Sequence, residues 1–199
     1  MLQLSHTLRL IVLTLLASFT TLVHASVINI NPGSYEGQWL IDNATGYVSG
    51  SRAVDLPPGR HYVRISAGGF HFDVDSSGNV TVPNGISATG APGALTFNTY
   101  PVVVDPAGFT GDTYITRVSS GITAPSTLFL VPGIRYTVRP GHVGVFNMFV
   151  DGSGNVTVEN GVSATGGAGV VTFNTVVVNV DPADFSGETY INRVTSSFD

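Results

Sequence analysis

The sequence predicts an all-β protein: two tandem small β-sandwich-like repeats of about 75 residues behind an N-terminal signal peptide. Three observations carry that expectation. Apolar and polar residues alternate over short runs, at Val27-Ile28-Asn29-Ile30, His61-Tyr62-Val63-Arg64-Ile65, Phe70-His71-Phe72-Asp73-Val74 and Asn79-Val80-Thr81-Val82, which is the period of a half-buried strand. Gly, Pro and Asn separate the runs, as at Pro57-Pro58-Gly59 and Ala91-Pro92-Gly93. The stretch Phe70–Val118 also returns without a gap as Phe146–Val194, with roughly two-thirds of about fifty positions identical.

From the N-terminus, Met1–Ala25 reads as the signal peptide. Arg9 precedes the apolar run Leu10–Ala17, which is shorter than the roughly 20 residues a membrane span needs, and Val23-His24-Ala25 supplies a cleavage site. The mature chain is expected to begin at Ser26. One element then occurs three times: Ile30-Asn31-Pro32-Gly33-Ser34-Tyr35-Glu36-Gly37, Val104-Asp105-Pro106-Ala107-Gly108-Phe109-Thr110-Gly111 and Val180-Asp181-Pro182-Ala183-Asp184-Phe185-Ser186-Gly187. Each copy leads into an expected strand, Gln38–Asp42, Asp112–Val118 and Glu188–Val194. This linker-strand element divides the chain into a first repeat at 26–103, a second at 104–179 and a closing third copy at 180–199. If each body uses the copy that follows it, Val27–Asp42 is spare; if it uses the preceding copy, Asp181–Val194 is. A spare strand caps its own sheet or pairs with an edge of another molecule.

The turns have their own chemistry. Asn84-Gly85 and Asn160-Gly161 are expected to form two-residue type I′ hairpins, in which both residues take φ > 0. Asp75–Gly78 and Asp151–Gly154 read as a second hairpin turn, with Asp first and Gly in the left-handed position. The bodies open with related phrases, Leu56-Pro57-Pro58-Gly59-Arg60-His61-Tyr62 and Leu130-Val131-Pro132-Gly133-Ile134-Arg135-Tyr136. Over about ten residues per copy, this phrase resembles a turn of prealbumin-like sandwich modules, and no family follows from it. The second body carries about two extra residues, assigned to a loop near Gly141-His142-Val143-Gly144.

Composition excludes several functions. Only 11% of residues are charged, the net charge is −5, and the eight basic residues are all Arg and scattered, so neither nucleic acid nor an anionic membrane surface finds a basic patch. There is no Cys, hence no disulfide, thiolate metal site or thiol nucleophile.

Candidate sites divide between chemistry and geometry. Asp73-x-Asp75-x-Ser77-Gly78 begins like a calcium loop, but its twelfth position is Asn84 and the second copy has Phe149 in place of Asp73, so turn geometry accounts for it better. Asn31, Asp105 and Asp181 each precede Pro and read as turn residues. Glu36, Asp112 and Glu188 read as solvated strand faces, and His61, His71 and His142 lack ligand-pair spacing. No Gly-x-Ser-x-Gly elbow or phosphate loop is present, and no cofactor is expected. Trp39, the only Trp, stands where the other copies have Thr113 and Thr189. With Tyr35 and Tyr47 it is the candidate sugar-stacking platform, set against a core Trp that fills space. Asn43, Asn79 and Asn155 lie in N-glycosylation sequons.

The function expected from all this is a secreted, non-catalytic structural or adhesive protein of the cell surface or extracellular matrix. The alternative is a secreted carbohydrate-binding module built on an exposed Trp39. The expected partners are another copy of the chain or a surface polysaccharide or protein, with no membrane span in the mature chain and the periplasm as a further location. A dispersed-site hydrolase and an outer-membrane barrel are disfavoured, the latter because runs of about 5 residues fall short of the 9–11 needed to span.

Overall fold

The computed structural model describes residues 24–141, 144–159, 161 and 163–176. The expected leader, except for its last two residues, lies outside them, as do His142, Asn160 and the third linker-strand copy. Among the described residues every helix or strand assigned is a strand. In chain order the first eight are β1 (Ser26–Asn31), β2 (Trp39–Ile41), β3 (Arg52–Leu56), β4 (Gly59–Ile65), β5 (Gly68–Val74), β6 (Val80–Thr81), β7 (Ala88–Ala91) and β8 (Ala94–Phe97). They make two sheets, ordered β3-β1-β8-β7 and β2-β4-β5-β6. The next nine are β9 (Tyr100–Asp105), β10 (Thr113–Ile115), β11 (Ser119–Ile122), β12 (Ser126–Leu130), β13 (Arg135–Pro140), β14 (Phe146–Val150), β15 (Val156–Val158), β16 (Ala164–Gly167) and β17 (Val170–Phe173). They make the sheets β12-β9-β17-β16 and β11-β10-β13-β14-β15. Neighbouring strands are antiparallel except β1 with β8 and β9 with β17.

Alternation builds each strand as the sequence implies. β5 buries Phe70, Phe72 and Val74 and turns His71 and Asp73 outward. The buried faces meet through aromatic rings. Phe97 of β8 stands edge-on to Trp39 of β2 at 5.9 Å and to Phe70 of β5 at 5.5 Å, and Phe173 of β17 meets Phe146 of β14 at 5.5 Å. At one corner of each pair the two sheets join: the Gly93 N–H donates to the Gly78 carbonyl at 2.8 Å, and Gly169 to Gly154 at 3.0 Å. The backbones approach so closely there that a Cβ on Gly90 would lie 2.2 Å from the Val80 oxygen, and one on Gly166 2.1 Å from that of Val156.

The linker-strand element is a crossing between sheets. β1 and β9 belong to one sheet of each pair and β2 and β10 to the other, joined through Pro32-Gly33 and Pro106-Ala107. Both described bodies therefore use the copy that precedes them, and Val27–Asp42 is not spare.

Two expectations about turns part company. Asp75–Gly78 is the hairpin expected: Gly78 has φ 79° and its N–H donates to the Asp75 carbonyl at 3.0 Å, while Asp75 Oδ1 accepts from the Ser77 and Asn79 amides at 2.8 and 2.9 Å. Asn84-Gly85 is not a type I′ hairpin. β6 and β7 lie in different sheets, so this turn carries the chain across the sandwich. Gly85 has φ 63° but Asn84 is not left-handed; its Oδ1 accepts from the Ile86 and Ser87 amides at 3.3 Å. β15 and β16 likewise lie in different sheets, so they are not the two arms of a hairpin; Asn160 itself lies outside the described residues.

The shared Leu-x-Pro-Gly-x-x-Tyr phrase hides a slip of register. Val63, four residues after Gly59, pairs with Phe70; Val138, five after Gly133, pairs with the equivalent Phe146. One extra residue of the second body is thus absorbed before that pair and the other in the loop between the strands. A one-residue shift turns every side chain to the opposite face. Tyr62 accordingly faces outward, whereas Tyr136 is fully buried, its hydroxyl accepting from the Val131 N–H at 2.8 Å and donating to the Val131 carbonyl at 3.0 Å.

The four sheets share one continuous apolar cluster. Between the two pairs of sheets, the buried Ser87 hydroxyl donates to the Pro132 carbonyl at 2.7 Å and the Gln38 N–H to the Arg117 carbonyl at 2.8 Å. Arg117 sits in the left-handed region at φ 61°, a strained position for a residue with a long side chain. Its guanidinium lies 4.0 Å from the centre of the Tyr47 ring, which anchors it across the junction.

Candidate functional site

The outward face of β4 and β5 carries two of the ion pairs found among the described residues. Strand alternation points Arg60, Tyr62 and Arg64 to one side, and the register sets Arg60 opposite Asp73 and Tyr62 opposite His71. Arg60 donates to both oxygens of Asp73, at 2.9 and 3.3 Å. Arg64 donates to both oxygens of Asp42, with a shortest contact of 3.0 Å. The Tyr62 and His71 rings lie 4.8 Å apart. Beside them opens a groove of about 670 Å³ whose wall includes Asp42, Asn43, Asp55, His61, Tyr62 and His71.

The electrostatics favour recognition over proton transfer. A hydrogen bond from Arg60 holds Asp73 below the usual carboxylate range, and burial nudges the Tyr62 phenol up. A carboxylate locked to a guanidinium is a poor general acid or base and a good fixed hydrogen-bonding edge. Among the described residues no group of three or more His, Asp or Glu is placed to hold a metal. The groove can offer an aromatic edge with paired donors and acceptors, which suits a polyhydroxylated ligand.

The three aromatic residues expected to form a platform do not converge. Trp39 is 0% exposed and Tyr35 3%; both pack on Phe97, and the Trp39 indole N–H donates to the Gly50 carbonyl at 3.2 Å. The expectation of an exposed Trp39 is therefore corrected: β2 turns it into the sandwich, on the same buried face as Ile41. Thr113 takes the corresponding place on β10, fully buried, with a hydroxyl that has no hydrogen-bond partner. Tyr47 remains half-exposed, covered by Arg117. The groove residues were readable in principle, because Arg60, Tyr62 and Arg64 alternate with Val63 and Ile65 along a strand. Their partners Asp42 and Asp73 come from other strands, and sequence spacing does not reveal such pairs.

Two of the three sequons are structurally committed. Asn79 Nδ2 donates to Asp75 Oδ2 at 2.7 Å, and Asn155 Nδ2 to Asp151 Oδ2 at 2.9 Å. A glycan on either nitrogen would displace the bond that closes its turn. Asn43 is exposed at the groove rim with φ 62°.

Four carboxylates share one direction of shift. Side-chain hydrogen bonds from Arg60, Asn79, Asn155 and Arg135 lower Asp73, Asp75, Asp151 and Glu159 respectively. A group depressed in the folded state stabilises the fold above its unfolded pKa and loses that contribution as pH falls through the folded value. Thermal unfolding is thus expected to be nearly flat from pH 7 to 5 and to shift downward below about pH 4. The double variant Asp75→Asn, Asp151→Asn should show a shallower acid limb, and an unchanged limb would overturn this assignment.

Compared with known protein families, curated proteins and solved structures, the chain matches none.

Proposed function

We propose that this chain is an exported, non-catalytic structural or adhesive protein of the cell surface or extracellular matrix. Its working part is two tandem β-sandwich-like repeats behind the leader at 1–25, with the boundary expected at 103/104 moved ahead of β9 and with 180–199 as a further linker-strand. The observation that carries this reading is the rigid docking between repeats: the buried Ser87–Pro132 bond and the Gln38–Arg117 bond join them directly. A stiff array of repeated surfaces gains avidity from repetition without a deep catalytic cleft. Antibody against the β4–β5 hairpin, applied to intact and to permeabilised producing cells, tests the location. Label on intact cells or in their matrix is the expected result, and label only after permeabilisation would sink the proposal.

The groove favours a second reading, a carbohydrate-binding module. Its anchors are then Tyr62 and His71 in place of Trp39. The second pair of sheets has Thr137 and Asn147 at those register positions, so one site per chain is expected. Titration of a neutral glycan panel against the chain and its Tyr62→Ala variant decides it; equal affinities would dismiss the groove.

A further inference from the structure

β12 is an outer strand, hydrogen-bonded on one side only, to β9. Its residues Ser126-Thr127-Leu128-Phe129-Leu130 lie within an uncharged run from Val118 to Ile134. The equivalent outer strand of the first sheet is β3, since Val54 faces Ile28 of β1 as Leu128 faces Val102 of β9. That register sets Arg52 against Ser126 and Asp55 against Phe129. β3 therefore carries a charge of each sign on its free edge, the usual protection against strand addition, and β12 carries none. Phe129 is 41% exposed, and an apolar strip continues from it. Pro101 lies opposite Phe129, Val103 opposite Thr127, and Val170 opposite Val103.

We propose that β12 is a strand-addition site whose occupant is β12 of a second copy, paired antiparallel across a two-fold axis. Two four-stranded sheets then become one of eight. Centred on Leu128, the pairing sets Ser126 against Leu130 and Thr127 against Phe129, so an isologous contact places no like charges opposite each other. Charge favours β12 over its counterpart β3: copies with a net charge of −5 repel, and a five-residue outer strand without charge, carrying the exposed Phe129, lets them approach at less cost. The last described residues run away from this edge. They leave the sheet after β17, which β9 separates from β12, and Thr175 donates to the Ala107 carbonyl at 2.7 Å beyond the end of β9. The corresponding exit of the first pair of sheets, Asn98-Thr99, leads on to β9 and does not return to β3.

A five-residue edge buries less than the roughly 800 Å² per partner of a stable complex, so the dimer dissociates on dilution. This supplies a partner for the structural role proposed above and takes its biological setting from that role. Sedimentation of the purified full chain over a thousandfold concentration range tests it, with amide hydrogen exchange followed at β12. The mass is expected to rise from monomer to dimer while Ser126–Leu130 become protected. Phe129→Asp and Thr127→Lys should each raise the midpoint concentration at least about tenfold with an unchanged circular dichroism spectrum. A strict monomer, or a dimer that both variants leave intact, would overturn the proposal. So would dimerisation that appears only after removal of 177–199, which would identify that segment as the occupant. None of these outcomes touches the location tested on intact cells, so the two readings fail separately.

Discussion

Trp39→Ala is expected to destabilise the protein by about 3–5 kcal/mol, the range for removing a large aromatic from a packed core. The indole is fully buried, meets Phe97 edge-on at 5.9 Å and places its N–H on the Gly50 carbonyl. Truncation leaves a cavity between the sheets and strands that carbonyl. Collapse around the void is resisted because Phe97 is also fixed by Phe70 and Tyr35. Trp39→Phe keeps much of the volume and loses only the polar contact, so it should cost markedly less. Urea unfolding followed by far-ultraviolet circular dichroism measures both. A loss below about 1 kcal/mol for the Ala variant would place Trp39 outside the core.

Gly90→Ala and Gly166→Ala should each cost about 3 kcal/mol or more, through contact with backbone rather than loss of left-handed freedom. A methyl group at either position would sit about 2 Å from a carbonyl oxygen of the facing strand, Val80 or Val156. An oxygen held in a sheet cannot swing aside like a side chain. Relief requires the corner to open, which strains the Gly93–Gly78 and Gly169–Gly154 hydrogen bonds. Gly85→Ala is the comparison. That glycine has φ 63° and open space around its Cα, so its substitution carries only the left-handed penalty of about 1 kcal/mol. Equal losses at Gly85 and Gly90 would refute the steric account.

The sequence was most informative where structure is local. Alternation in β1, β4 and β5 and the Asp75 turn are set by neighbours a few residues away, and they stand as read. Asn84-Gly85 was misread because a hairpin and a sheet crossing share turn residues; only the partner of each flanking strand tells them apart, and those partners lie far away in the chain. Tyr62 and Tyr136 show the same limit more sharply. Identical spelling places them on opposite faces, since the register is set by β5 and β14 and not by the phrase itself. Trp39 was open to both readings, because one aromatic on a three-residue strand does not reveal which face is covered. The groove escaped notice since Arg60–Asp73 and Arg64–Asp42 are cross-strand pairs.

The parallel pairing of the first strand with the last has a consequence for how the chain folds. Asn29 of β1 lies beside Ala94 of β8, and Val103 of β9 beside Val170 of β17. The first strand to be made in each unit thus waits for the last before its second edge is filled. Closing so long a loop must come before the contacts that reward it, which makes assembly slow and favours all-or-none completion. Were the chain to emerge N-terminus first, β1 would meet its antiparallel neighbour β3 early and stay open on the other side until β8 arrived. A helper that shields a lone strand edge would act in that interval, and β9 would pass through the same interval one unit later.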